Sequence, residues 1–270
     1  MKKKTEKAFF DEQWEGMLTQ LKAFIETGDQ EKLHQFRVQV KKLRAMLALL
    51  DAALSRNTLS KDFKPVKKIF RHGGDIRNAY MNLQLGIRYK LNNQQFTDSQ
   101  QAVIENGINE FKVMGDSYLE TVDKVYNAIQ ADLKTIGDRR INQFYKMHIE
   151  QIANTLSQLQ FDETLHDCRK QIKILLYNRK IAQKALDGKL QVNNEYLNQL
   201  QDHIGDWHDN ELAIALFLTP ELNEKPVITR IKRQNTRLKK VIAILTKDFW
   251  KKATLYSEPS GKKHKEWVLR

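Results

Sequence analysis

Residues 33–47 read LHQFRVQVKKLRAML, and residues 165–179 read LHDCRKQIKILLYNR. On an α-helix at roughly 100° per residue, Leu33, Phe36, Val40, Leu43 and Leu47 fill one arc. His34, Arg37, Lys41 and Arg44 fall within an arc of about 80° directly beside it. Solvated charge normally sits opposite the apolar face; here the cations flank it. No acidic residue occurs between Lys32 and Leu50, so the row has no i,i+4 partner to neutralise it. An unpaired row of this kind repels itself, and an anionic partner would relieve it.

The second stretch repeats the first. His34, Arg37 and Lys41 map onto His166, Arg169 and Lys173 at an offset of 132 residues, and GDIRN at Gly74 maps onto GDWHD at Gly205 at 131. Two motifs holding nearly one offset indicate an internal duplication. The expected organisation is one domain over 1–270, made of a helical-bundle repeat over 1–134, a second over 135–256, and a flexible tail over 257–270. Prolines are confined to 65, 220, 226 and 259, and no alternating strand pattern occurs between turn signals. The fold class is therefore all-α. The pattern predicts helices near 7–26, 30–54, 61–91 and 98–133, the last with GD breaks inside it, then near 138–160, 163–186, 193–218 and 227–256. Breaks are expected at Gly73-Gly74 and at Gly205, with Asp75 and Asp206 capping the resumed helices.

The chain has 270 residues, 41% of them hydrophobic, enough for a substantial core. Lys plus Arg number 46 against 33 Asp plus Glu, a net charge of +13. Such a surplus concentrates polyanions: nucleic acid, an anionic membrane surface or polyphosphate. A single cysteine, Cys168, excludes a disulfide framework and a cysteine-rich zinc site. The basic N-terminus lacks an apolar h-region and no run is long enough to span a bilayer, so a cytoplasmic location is expected.

Two further rows share the spacing. Arg230, Arg233, Arg237 and Lys240 repeat the i, i+3, i+7, i+10 pattern of the first row, and Lys64, Lys67 and Arg71 form a shorter one. Lys180 and Lys184 extend the face of His166, Arg169 and Lys173. Neither His34 nor His166 has a His, Cys or carboxylate at i+3 or i+4, so no metal site is expected. A histidine N–H donating to a phosphate oxygen, or a local hydrogen bond, suits them better. His203 and His208 lie five apart and form no pair with each other.

Together, LHxxRVxxKKLR, LHxxRKxxK, GDxRN and GDxHD resemble the CHAD family, the conserved histidine α-helical domain, over about residues 8–256. The resemblance implies two four-helix bundles related by a pseudo-twofold axis, with basic residues lining a central groove or pore. It implies binding of inorganic polyphosphate, association with polyphosphate granules, and no inherited catalysis. Carried over by motif, the binding residues are His34, Arg37, Lys41 and Arg44, then His166, Arg169 and Lys173. Lys67, Arg71, Arg230, Arg233 and Arg237 join them from the remaining rows.

There are departures. Arg77-Asn78 stands where the family has Arg-Asp, Leu176 replaces the Arg44 counterpart, and the first-half counterpart of the Arg230 row is not basic. More charge is therefore expected from the second half. No cofactor is implied. An enzyme acting on phosphoanhydrides would need clustered carboxylates or a nucleophile with its base; the motifs single out only Asp75, Asp206 and Asp209. The alternative is a single-stranded nucleic-acid binder, which would want aromatics interleaved with the cations. Phe36 and Tyr177 are the nearest, and Phe36 belongs to the apolar arc. Neither a specific nucleic acid nor a membrane partner is expected.

Overall fold

The computed structural model describes residues 3–186 and 191–254. Among the described residues there are twelve α-helices and no strand, and no helix is long and apolar enough to cross a membrane. The chain forms two compact units. One comprises residues 3–135 together with Thr219–Asn223; the other comprises Ile136–Leu218 and the described residues from Glu224 onward. The expected tail over 257–270 lies outside the described residues.

The first unit contains α1 (Lys3–Thr27), α2 (Gln30–Ala53), α3 (Thr58–Asp62), α4 (Lys64–Tyr89), α5 (Gln94–Val113) and α6 (Gly115–Asp132). Gly28, at φ 70°, ends α1, and Asp29 starts α2 by accepting from the backbone N–H groups of Glu31 and Lys32 at 2.7 and 3.0 Å. This satisfies two donors that a helix start leaves unpaired. Phe10, Met17, Leu21 and Phe24 of α1 are buried with Leu33, Phe36, Val40 and Leu43 of α2, the apolar arc read from the sequence. The short α3 is capped from a distance. Asn57 at its N-cap makes no side-chain bond, but the buried Asp51 carboxylate accepts from the N–H groups of Leu59 and Ser60 at 3.1 and 2.8 Å. Arg56 then ties the segment between α2 and α3 to the end of α6, pairing with the Asp132 carboxylate at 2.8 Å and donating to the Asp132 carbonyl at 2.8 Å.

The second unit contains α7 (Asp138–Ser157), α8 (Glu163–Tyr177), α9 (Arg179–Ala185), α10 (Asn194–Phe217), α11 (Lys225–Thr246) and α12 (Phe249–Thr254). Asp162 and Asn193 cap α8 and α10 through the N–H groups of Thr164 and Tyr196. The core joins Ile141, Tyr145 and Ile149 of α7 to Leu165, Cys168 and Ile172 of α8 and Leu197, Leu200 and Ile204 of α10. The helix order repeats that of the first unit: two packed helices, a third long one, then a helix pair.

The helix breaks are where sequence reasoning fails. α4 runs through Gly73-Gly74 and α10 through Gly205 without interruption. Asp75 and Asp206 therefore cap nothing and stand exposed in mid-helix. The glycines answer a packing need instead. A Cβ on Gly73 would lie 2.7 Å from Leu33, and one on Gly205 would lie 2.6 Å from the Arg169 guanidinium. The expected helix over 163–186 is divided at Asn178, which places Lys180 and Lys184 on α9 rather than on the helix of His166.

Candidate anion-binding site

In the first unit, the row on α2 meets the row on α4. Arg37 Nη1 donates to the Phe70 carbonyl at 2.5 Å, and its guanidinium lies 4.1 Å from the Phe70 ring centroid. A Cβ on Gly74 would sit 3.4 Å from that same nitrogen. Beyond Arg37 in one direction, His34 faces Arg77; in the other, Arg44 faces Arg71 and Lys67. The pairing runs in opposite senses along the two helices, so α2 and α4 are antiparallel here.

The electrostatics follow from this meeting. Lys67 is held below its ordinary value by burial and then by Arg44, Arg71 and Lys64, all cations. Arg44 is lowered by lost hydration and then by Arg71. Arg37 is lowered by burial and by Arg77, against a partial offset from Asp75. His34 is lowered by burial first and Arg77 second, with Glu31 the opposing charge. The shorter row, Lys64, Lys67 and Arg71, thus completes the first row rather than standing apart.

The second unit repeats the seat and changes its surroundings. Arg169 Nε donates to the Gln201 carbonyl at 2.9 Å, four residues before Gly205, just as Phe70 precedes Gly74 by four. Lys173 lies 5.4 Å from the Tyr177 ring centroid. It is lowered by burial and Arg169 but opposed by Asp202 and Asp209. Asp209 is raised, by burial first and Asp206 next among the raising causes, against Arg169, His208 and Lys173. The His166 and His208 rings stack, centroids 3.7 Å apart and planes at 25°. His166 Nδ1 is buried without a hydrogen-bond partner, and burial followed by His208 pushes its pKa down to about 4. Where the first unit has Arg77-Asn78, this unit has His208-Asp209.

The remaining row sits differently. Arg230, Arg233 and Arg237 are exposed on α11, whose buried residues are Ile228, Ile231, Asn235 and Ile242. At roughly 100° per residue the row falls opposite that buried face. Equal spacing therefore does not imply equal placement. α11 itself is rich in cations. Around α8 and α10 the second unit is the more acidic, and the dense cationic cluster is between α2 and α4.

The His166–His208 stack escaped sequence reasoning, which compared His208 with His203 and with its neighbour Asp209 but not with His166. The shared position of Arg77 and His208 in the duplicated motif was the available signal, because His34 and His166 both open their rows beside it. The two arginine seats were also legible in principle, since each glycine follows its arginine at nearly the same distance, 37 residues in the first unit and 36 in the second. His72 serves elsewhere: Nδ1 is 2.6 Å from the Tyr118 hydroxyl and Nε2 is 3.0 Å from Glu110, tying α4 to α5 and α6. Among the described residues no group of three His, Cys, Asp or Glu side chains is arranged to hold a metal ion.

The fold is similar to that in the crystal structure of the CHAD domain from the plant Ricinus communis, with a TM-score of 0.62 and 16% identity over 91% of each chain. No curated protein matches the chain. The CHAD domain family model matches residues 8–218. That span holds α2, α4, α8 and α10, with both arginine seats and both histidines that open the rows. The match covers well over half of the sequence, and the chain belongs to the CHAD domain family.

Proposed function

We propose that the protein binds long-chain inorganic polyphosphate without catalysing a reaction on it. The observation that carries this reading is the cluster of Arg44, Lys67 and Arg71, with Lys64 beside it, in which the charges acting on Lys67 are all positive. Holding like charges together costs free energy, and a flexible chain with a charge on every phosphate would offset it. Arginine supplies paired donors to phosphate oxygens, and lysine supplies mobile point charges. His34, Arg37 and Lys41 extend the track in the first unit, and His166, Arg169 and Lys173 form its counterpart in the second. Arg230, Arg233 and Arg237 add a separate exposed contact. On this reading the protein acts in the cytoplasm, at polyphosphate granules where they form.

A single-stranded nucleic acid is the poorer ligand because the aromatics beside the rows are already engaged. Phe36 is fully buried, Arg37 covers Phe70, and Lys173 covers Tyr177. Stacking platforms for bases are what such a ligand requires.

The test is polyphosphate binding over a salt series. If roughly six phosphates are neutralised, log K should fall against log salt with a slope of about −4, taking the single-strand coefficient. Arg44→Ala/Arg71→Ala should weaken binding and flatten the slope. Lys124→Ala, which removes an exposed lysine paired with Glu120 at 2.6 Å on α6, should change neither. Equal loss in all variants, or equal affinity for single-stranded RNA, defeats the reading.

A further inference from the structure

The two units differ most where the duplicated motif places Arg77 in one and His208 in the other. In the first unit the group facing the row-opening histidine is an arginine, charged at every physiological pH. In the second it is an imidazole, stacked on His166 at 3.7 Å. Two neutral imidazoles stack comfortably. Two imidazolium rings at that separation repel strongly, because a half-buried site screens them poorly. His166 Nδ1 is buried and makes no hydrogen bond, so nothing within the fold fixes a proton on that nitrogen.

The charged groups facing the pair come from both helices. On α8 they are Glu163, Lys170 and Arg169, and Lys170 is itself held by Glu163 and Asp167 at 3.2 and 2.8 Å. On α10, Asp209 interacts with His208 and also feels Lys173, and Asp206 acts on Asp209. From α11, Lys239 reaches the Phe161 ring, which packs edge-on to Trp207 next to His208. The net field is mixed, so an added anion decides the protonation of the pair.

We propose that the stacked His166–His208 pair makes the anion site of the second unit proton-gated, while Arg77 keeps the first unit's site cationic at any pH. Resting on the polyphosphate reading, the gate works by linkage. Phosphate oxygens beside the rings stabilise the imidazolium forms by their charge, so binding takes up protons. By linkage, the number of protons taken up on binding equals the slope with which log affinity rises as pH falls. Each proton taken up is worth about tenfold in affinity per pH unit. Asp209 adds to the gate, since its carboxylate opposes phosphate until it is protonated or paired.

The experiment grafts the first unit's residues onto the second. Long-chain polyphosphate, whose internal phosphates do not titrate near neutrality, is titrated into the full chain between pH 6 and 8 at fixed ionic strength. Wild type and H208R/D209N are compared, with helicity and thermal midpoint confirming that the variant is folded. Proton uptake is measured calorimetrically in buffers of different ionisation enthalpy. The expected result is wild-type affinity that rises several-fold or more toward pH 6 with proton uptake. The variant should bind more tightly at pH 8 and respond much less to pH. Wild-type binding that is intact but independent of pH overturns the gate and leaves the polyphosphate reading standing. So does a pH response that the graft leaves unchanged. Absence of binding at every pH overturns both.

Discussion

Gly205 occupies the middle of α10, where glycine costs about 1 kcal/mol relative to alanine. Substituting alanine would ordinarily recover that amount. Here the new Cβ would fall 2.6 Å from Arg169 Nη2, 2.8 Å from Nε and 3.0 Å from Cζ. The guanidinium is the end of a flexible chain and can move, but moving breaks its Nε bond to the Gln201 carbonyl. A hydrogen bond from a charged donor contributes roughly 1.5–3 kcal/mol. Set against the propensity gain, Gly205→Ala should destabilise by about 0.5–2 kcal/mol. Gly74→Ala places its Cβ at an ordinary 3.4 Å from Arg37 and should be neutral or stabilising. The decisive assay is a double-mutant cycle by chemical denaturation. In an Arg169→Ala background the clash is gone, and Gly205→Ala should stabilise by about 1 kcal/mol. The sign of the substitution thus reverses with the background. If Gly205→Ala stabilises the wild-type chain too, the glycine is not a seat for the arginine and the reasoning fails.

Three other outcomes are expected. Asp51→Ala removes the carboxylate that caps α3 and leaves two backbone N–H groups unpaired, so denaturation should show a loss of about 1–2 kcal/mol; an unchanged midpoint would mean α3 is not held by Asp51. Gly107→Ala would drive a Cβ to within 2.9 Å of Ile76 Cδ1, in the core between α4 and α5, and overpacking should cost about 1–3 kcal/mol by the same assay. Finally, His166 titrates near 4 in the folded chain but near its ordinary value when unfolded. The unfolded state takes the proton first, so this stability contribution is complete above about pH 6.5 and declines as pH falls toward about 4. The thermal midpoint of the ligand-free protein should drop over that window, less so for His166→Gln; an equal drop in both would place the acid sensitivity elsewhere.

The all-α class and the rows on α2 and α8 were legible because each rests on local periodicity. Leu33, Phe36, Val40 and Leu43 at helical spacing declare a buried arc, and the cations beside it are then placed by geometry alone. The mid-helix glycines were misread for a physical reason. A glycine signals either a backbone that turns or a backbone approached closely, and sequence does not separate the two. Only the positions of Leu33 and Arg169 against α4 and α10 do. The Arg230 row shows the complementary limit. Its spacing matches the first row, yet its relation to a core depends on which residues of α11 are buried, and Ile228, Ile231 and Asn235 put it on the far side. The His166–His208 contact joins residues on different helices and leaves no local pattern.

The seats also bear on how such rows can bind. A guanidinium swinging freely over solvent must be immobilised when it meets a phosphate, and that entropy loss weakens binding. Arg37 and Arg169 are already held, one by Phe70 and the other by Gln201, each through one side of the guanidinium. Their orientation is therefore set before any anion arrives. Neighbouring Lys41 and Lys173 retain the longer reach of an ammonium on a flexible stem, suited to a chain whose phosphates need not fall in register. A row of rigid arginines would demand a matched ligand, and a row of lysines would lose entropy at every contact. On the polyphosphate reading, a seated arginine in each row with a lysine four residues on would fix where the anion enters while leaving its course along the helix free, which suits a polymer of repeating charge better than a small phosphate ester.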